Sequence, residues 1–171
     1  MNELSVIIYL LSKKENLSKI GSTKKEILNA LNVKDKNNSI YFQNLINNVS
    51  NYLEPLGLQV RFNPLNSYWY ISFDPETTEI ISANPFEGNP RLAATLFCTL
   101  ICCFSSSGET TIQKIMEIRK KKGVVEDIKE LKKMGFVLFE KNLNKVSLTP
   151  LIGYLLDLKK MFLKIALKIK D

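Results

Sequence analysis

Hydrophobic and polar positions fall into helical and strand periods in two successive blocks. In the first block, residues 4–11 form an apolar run that predicts a helix, and after a polar linker Ser22 and Thr23 offer an N-cap. Glu26 stands three residues after Thr23, the spacing of a capping box, and the apolar positions Ile27, Leu28 and Leu31 follow. Phe42, Leu45, Ile46, Val49 and Leu53 recur at i, i+3, i+4, i+7 and i+11, which is one face of a longer helix over residues 38–53. Pro55 and Gly57 end it. The period then changes to two: Leu58, Val60 and Phe62 alternate with polar residues, Asn63, Pro64, Leu65 and Asn66 carry turn chemistry, and Trp69, Ile71 and Phe73 alternate again. Three helices and a hairpin predict a winged helix over residues 1–74.

The same order recurs beyond a connector, residues 75–88, that holds Pro75, Pro85 and Gly88. Asn89 and Pro90 suit an N-cap and a first-turn proline, opening an apolar helix that Ser105, Ser106, Ser107 and Gly108 break. Residues 110–120 place Ile112, Ile115 and Met116 on one face, Gly123 marks a turn, and Val124, Ile128 and Leu131 make the inner stripe of a third helix stopped by Gly135. Residues 136–140 and 145–149 flank Lys141, Asn142, Leu143 and Asn144, a second wing. Residues 89–149 therefore read as a second winged helix, a repeat of fold with little shared sequence. The predicted class is α+β, mainly α: two tandem winged-helix domains and a C-terminal amphipathic helix over residues 150–171.

That last helix carries the widest apolar stripe. Leu151, Leu155, Leu158, Phe162, Ile165 and Ile169 repeat at spacings of four and three, with Lys159, Lys160, Lys164, Lys168 and Lys170 opposite. It can pack back on its own domain, lie on a membrane surface, or bury Leu155, Leu158, Phe162 and Ile165 against a second copy or a partner chain.

Composition narrows the function. A chain of 171 residues, 45% hydrophobic and 24% charged, is globular rather than disordered. No stretch reaches the roughly 18 consecutive apolar residues of a membrane span, and no leader pattern opens the chain, so the expected location is the cytoplasm. Cys98, Cys102 and Cys103 crowd into one apolar segment, where they read as core; with no fourth thiolate and no His, neither a disulfide framework nor a metal site is expected. The lack of His also removes the commonest general base, and neither a phosphate-cradling glycine loop nor a G-x-S-x-G pattern is present. The expectation is a protein without enzymatic activity and without a cofactor.

Charge separates two binding classes. Residues 1–80 hold 8 Lys and Arg against 8 Asp and Glu, whereas residues 81–171 hold 16 against 9, so the whole net charge of +7 lies in the second half. A helix that enters a DNA groove brings cations to phosphates and Arg, Lys, Asn or Gln to base edges. The helix over residues 38–53 has no Lys or Arg and offers Tyr41, Gln43, Asn44, Asn47, Asn48 and Asn51 instead, a face that suits a protein interface, with Tyr41, Asn44 and Asn48 as candidate contacts. In the second block Arg119, Lys120, Lys121 and Lys122 are candidate contacts to the DNA backbone. The next helix puts Glu126, Asp127 and Glu130 ahead of Lys132 and Lys133, an order the helix dipole favours and a groove reader would invert.

The segments "NPRLAATLFCTLICCF" and "GETTIQKIMEIRKKKGVVEDIKELKKMGFVLFEKNLNKVSLTP" resemble the second winged helix of the segregation and condensation protein B family. The likeness is closest at Glu117, Ile118 and Arg119, which end one helix, and at Gly135, Phe136 and Val137, which follow the next. Residues 4–73 match that family in element order. Its members are tandem winged-helix subunits of SMC (structural maintenance of chromosomes) complexes. The resemblance implies a dimeric accessory subunit that binds a kleisin-like protein beside an SMC ATPase, associated with the nucleoid, with at most weak non-specific DNA contact. The rival expectation is a winged-helix transcription regulator.

Overall fold

The computed structural model describes residues 2–33, 38–74, 86–140, 142 and 144–158. The chain divides into two compact units, residues 1–82 and 83–171.

In the first unit α1 (Glu3–Ser12) is followed by a small antiparallel hairpin, β1 (Lys14–Asn16) and β2 (Lys19–Ile20), and then by the short strand β3 (Ser22–Thr23). The hairpin falls in the segment expected to be a linker. Its turn is held locally, by the Ser18 amide donating to Asn16 Oδ1 at 2.8 Å, which hydrophobic patterning does not report. The predicted capping box starts α2 (Lys24–Ala30): Thr23 Oγ1 accepts from the Glu26 amide, and the Glu26 carboxylate accepts from the Thr23 amide at 2.7 Å. Next comes α3 (Asn38–Leu53), whose predicted stripe of Phe42, Leu45, Ile46, Val49 and Leu53 is buried against Ile7, Leu11, Ile27 and Leu28.

A single 3-10 turn (Glu54–Leu56) leads to β4 (Leu58–Asn63) and β5 (Tyr68–Phe73), which pair antiparallel with Val60 opposite Ile71 and Phe62 opposite Trp69. The strand order is β3-β5-β4, so Ser22 and Thr23, which by pattern are only a helix cap, also add a third strand. Alternation predicts Tyr70 on the outer face, yet it is 3% exposed. The chain passes over it at Gly21, where an added Cβ would stand 2.8 Å from Tyr70 Cβ and 1.9 Å from the Trp69 carbonyl oxygen.

The second unit repeats the order without the extra hairpin. It comprises α4 (Pro90–Ser105), β6 (Glu109–Thr111), α5 (Ile112–Arg119), α6 (Val124–Lys133), β7 (Val137–Glu140) and β8 (Lys145–Leu148), with strand order β6-β8-β7. Leu96, Leu100, Ile115, Ile128, Leu131, Val137 and Val146 form its core. Both units are therefore mixed α+β, compatible with a winged-helix arrangement.

A short helix, α7 (Leu151–Leu155), replaces the start of the long C-terminal helix, because Leu156 turns to extended backbone (φ −114°, ψ 136°). Ile152 and Leu158 are both buried, whereas on a continuous helix positions six apart are about one and two-thirds turns apart and face about 120° away from each other. Residues 159–171, including Phe162 and Ile165, lie outside the described residues.

Candidate interaction surfaces

The amide-rich face of α3 divides once its neighbours are in place. Tyr41 is half-buried beside the core, and its phenol is pushed above the usual range by that burial first and by the carboxylate of Glu3 second. It belongs as much to the α1–α3 packing as to any outer contact. Asn44 and Asn48 are exposed, and Gln43 donates to Asn47 Oδ1 at 3.1 Å, satisfying part of the amide row internally. Two apolar residues complete the surface: Ile40 at 66% and Tyr52 at 57% exposure stand at spacings of four from Asn44 and Asn48. The sequence pattern gave that signal, since neither lies on the buried stripe. A row of Ile40, Asn44, Asn48 and Tyr52 has apolar ends, an amide centre and no cation, a composition suited to a protein partner and poor in the phosphate contacts that dominate DNA affinity.

In the second unit the four-residue basic cluster is not one group. Arg119 is the last residue of α5 and turns inward, its Nε donating to Thr95 Oγ1 at 3.4 Å. Lys120, Lys121 and Lys122 are exposed in the turn, which opens with Lys120 in the left-handed region (φ 49°) and closes with Gly123 (φ 88°). Met116 and Ile118, next to this turn, are also about half exposed, so Met116 leaves the inner face on which spacing had put it.

A buried carboxylate lies on the helix that follows the turn. Asp127, on α6, is 2% exposed rather than part of a solvated acidic first turn. Its Oδ2 accepts from Thr95 Oγ1 at 2.7 Å, and its Oδ1 lies 2.8 Å from Arg91 Nη2, an ion pair by distance whose angles fall outside hydrogen-bond geometry. Arg91 and Thr95 belong to α4, so one carboxylate joins α4 to α6, and Arg119 adds α5 through Thr95. Because the Arg91 side chain is 63% exposed, the desolvation cost of this pair falls on the carboxylate alone. The signal was present in the spacing: Asp127 is three residues after Val124 and four before Leu131, inside the apolar stripe.

The cysteines are core groups. Burial raises the thiols of Cys98 and Cys102 above their ordinary range and pushes Cys103 up to about 12, and Arg119 opposes the shift at Cys98. Such thiols are poor nucleophiles and poor metal ligands at neutral pH. Leu155, which ends α7, is half exposed, and Leu158, beyond that helix, is buried, so the two residues expected on one partner face are not presented together.

No model of a known protein family matches the chain, and no curated protein matches it by sequence. Among solved structures, ScpB from Mycobacterium tuberculosis is similar over 86% of this chain and 88% of that chain, at 11% identity and a TM-score of 0.33. A match this loose says nothing about partners. Among the described residues, no helix is long and apolar enough to cross a membrane.

Proposed function

We propose that this chain consists of two tandem winged helices and acts as a non-enzymatic accessory subunit of an SMC-type chromosome complex, binding a kleisin-like partner. The observation that carries a protein-binding role is the outer row of α3. In a winged helix this is the element placed to enter a groove, and here it presents Ile40, Asn44, Asn48 and Tyr52 without a cation. The assignment to SMC complexes is supported by the resemblance at Glu117 to Arg119 and Gly135 to Val137. Dimer formation and a nucleoid location belong to the same proposal.

The test is co-purification. Tagged protein should bring down an SMC-type ATPase or its kleisin, and Asn44→Arg with Asn48→Arg should abolish that capture without loss of folding. Recovery of DNA alone, or tight sequence-selective DNA binding at physiological salt, overturns the proposal in favour of the regulator. The exposed turn of Lys120 to Lys122 favours a secondary role for DNA, as a weak, salt-sensitive backbone contact. Molecular mass measured for the intact chain and for one ending at Leu158, which keeps the buried Ile152 and Leu158, tests whether residues 159–171 support self-association.

A further inference from the structure

The first unit carries a second surface that α3's outer row does not use. Between the start of α2, the start of α3 and the β4–β5 hairpin lies an open cleft of about 450 Å³, within the size range of ligand pockets. Phe42, Phe62 and Trp69 line it, and Lys24, Lys25 and Ser39 stand at its edge. Trp69 meets Phe42 edge-on at 5.3 Å and Phe62 at 5.0 Å with the rings tilted by 46°. Phe62 is 45% exposed although it lies on the strand face that alternation assigns to the core.

The lysines give this apolar floor a sign. Lys24 Nζ donates to Ser39 Oγ at 2.9 Å and sits 5.6 Å from the Phe42 ring centre, which holds its charge over the cleft. Among the described residues no carboxylate pairs with Lys24 or Lys25; Glu26, the nearest acid in sequence, is turned back onto Thr23. Helix energetics do not explain the placement, since cations are disfavoured in a first turn.

We infer that this cleft docks a segment of a partner polypeptide in which one large apolar side chain is flanked by carboxylates. The apolar anchor fills the space among Phe42, Phe62 and Trp69, and the acids meet Lys24 and Lys25. Two features favour a peptide over single-stranded nucleic acid, the other ligand that combines stacking with negative charge. The rings stand at 71° and 46° to one another, so they wall a pocket and do not offer the parallel platforms on which successive bases stack. The charge of residues 1–80 is balanced, which leaves little counterion release to drive binding to a phosphate backbone. The inference goes beyond the proposed function and does not require that the partner be a kleisin.

Trp69 is the only tryptophan of the chain, so its emission reports the cleft directly. The probes are a synthetic peptide with a single Phe flanked on both sides by Asp-Glu, the same peptide with Lys in place of every acid, and oligothymidylate. The acidic peptide should give a saturable shift in Trp69 emission that weakens with added salt. Lys24→Glu with Lys25→Glu should weaken it about tenfold, the scale expected from losing two partly exposed ion pairs. Phe62→Ala should weaken it as well, with thermal unfolding checked for both variants. Absence of a saturable shift, equal binding of the lysine peptide, tighter binding of oligothymidylate, or undiminished binding by the folded variants overturns the inference. Loss of peptide binding by the folded Lys24→Glu, Lys25→Glu chain supports the inference whether or not that chain still captures an SMC-type ATPase, so failure of one reading is distinguishable from failure of the other.

Discussion

The two units share an element order and a strand order and differ in what occupies equivalent places. In the first, the buried core where α1, α2 and α3 meet is apolar, from Ile7 and Leu11 to Val49 and Leu53, and polar contacts such as Lys24 with Ser39 lie at its rim. In the second, the same layer is crossed by Asp127, Thr95, Arg91 and Arg119. The glycine before the edge strand of each three-stranded sheet, β3 or β6, shows the same divergence. Gly21 is pressed against Trp69 and Tyr70 because the β1–β2 hairpin carries the chain over β5, whereas Gly108, with nothing within 4 Å of its missing Cβ, faces open space. A common backbone plan thus leaves room for opposite local chemistry, and the element order alone does not say which unit binds what.

The largest expected effect tests the glycine contrast. Gly21→Ala combines a left-handed φ of 88° with a Cβ 1.9 Å from a carbonyl oxygen, and should cost more than about 4 kcal/mol, an exceptional value for one substitution. Gly108→Ala has φ 98° but no clash, and should cost about 1–2 kcal/mol, the penalty of the left-handed region alone. Denaturant unfolding followed by Trp69 emission for the first unit, and by amide exchange for the second, measures both. Equal losses would break the comparison.

Next comes the buried carboxylate. Asp127→Ala should destabilise the second unit by about 1–2 kcal/mol, the scale of a lost hydrogen bond to a charged group, since Arg91 is left in solvent, and Asp127→Asn, which keeps an acceptor for Thr95, by less than about 1 kcal/mol. Amide exchange should show the loss confined to residues 83–171. A loss below about 0.5 kcal/mol, the scale of a neutral surface change, would return Asp127 to the role of a solvated acid.

A smaller, pH-dependent difference follows from Cys103, which is fully buried and whose thiol donates to the Val146 carbonyl oxygen at 3.7 Å. Its folded pKa is raised from 9.0 to about 12 by burial. The stability this contributes is fully present below the unfolded value and is lost as pH rises from 9.0 towards about 12, because only the unfolded chain ionises readily there. Unfolding of the second unit should therefore steepen with pH in that window, and Cys103→Ala should flatten the dependence. A slope unchanged by the substitution would assign it to other groups.

The smallest effect on stability is expected at the turn. Lys120→Ala, Lys121→Ala and Lys122→Ala together should move the unfolding free energy by less than about 0.5 kcal/mol, since all three side chains are exposed. The same change should reduce the salt slope of any DNA binding by up to about three. A folded variant with an undiminished slope would remove the turn from the list of backbone contacts.

Much of the fold was legible because burial follows period. The α3 stripe, the Thr23–Glu26 capping box and both hairpins stand where spacing put them. The elements missed were short or polar. β3 and β6 are edge strands of two and three residues whose buried positions, Ser22 and Thr110, are polar, and β1–β2 is held by a turn-forming Asn rather than by apolar alternation. Of the candidate contacts, Asn44, Asn48 and Lys120 to Lys122 are exposed as a contact requires, while Tyr41, Arg119 and Leu158 are wholly or partly taken up by their own unit.

The sequence by itself determined the longer helices of each unit, the two hairpins that follow them and the separation of charge between the halves, because these depend on the order of residue types over short spans. Only the tertiary structure decided which polar groups stay available. Asp127 and Arg119 read as solvated charges until α4 brings Thr95 and Arg91 to them, and Phe62 reads as core until α2 and α3 leave a cleft above it. Periodicity predicts which side of an element faces inward, but whether a partner waits there depends on residues about 20 to 40 positions away, which no local spacing can specify.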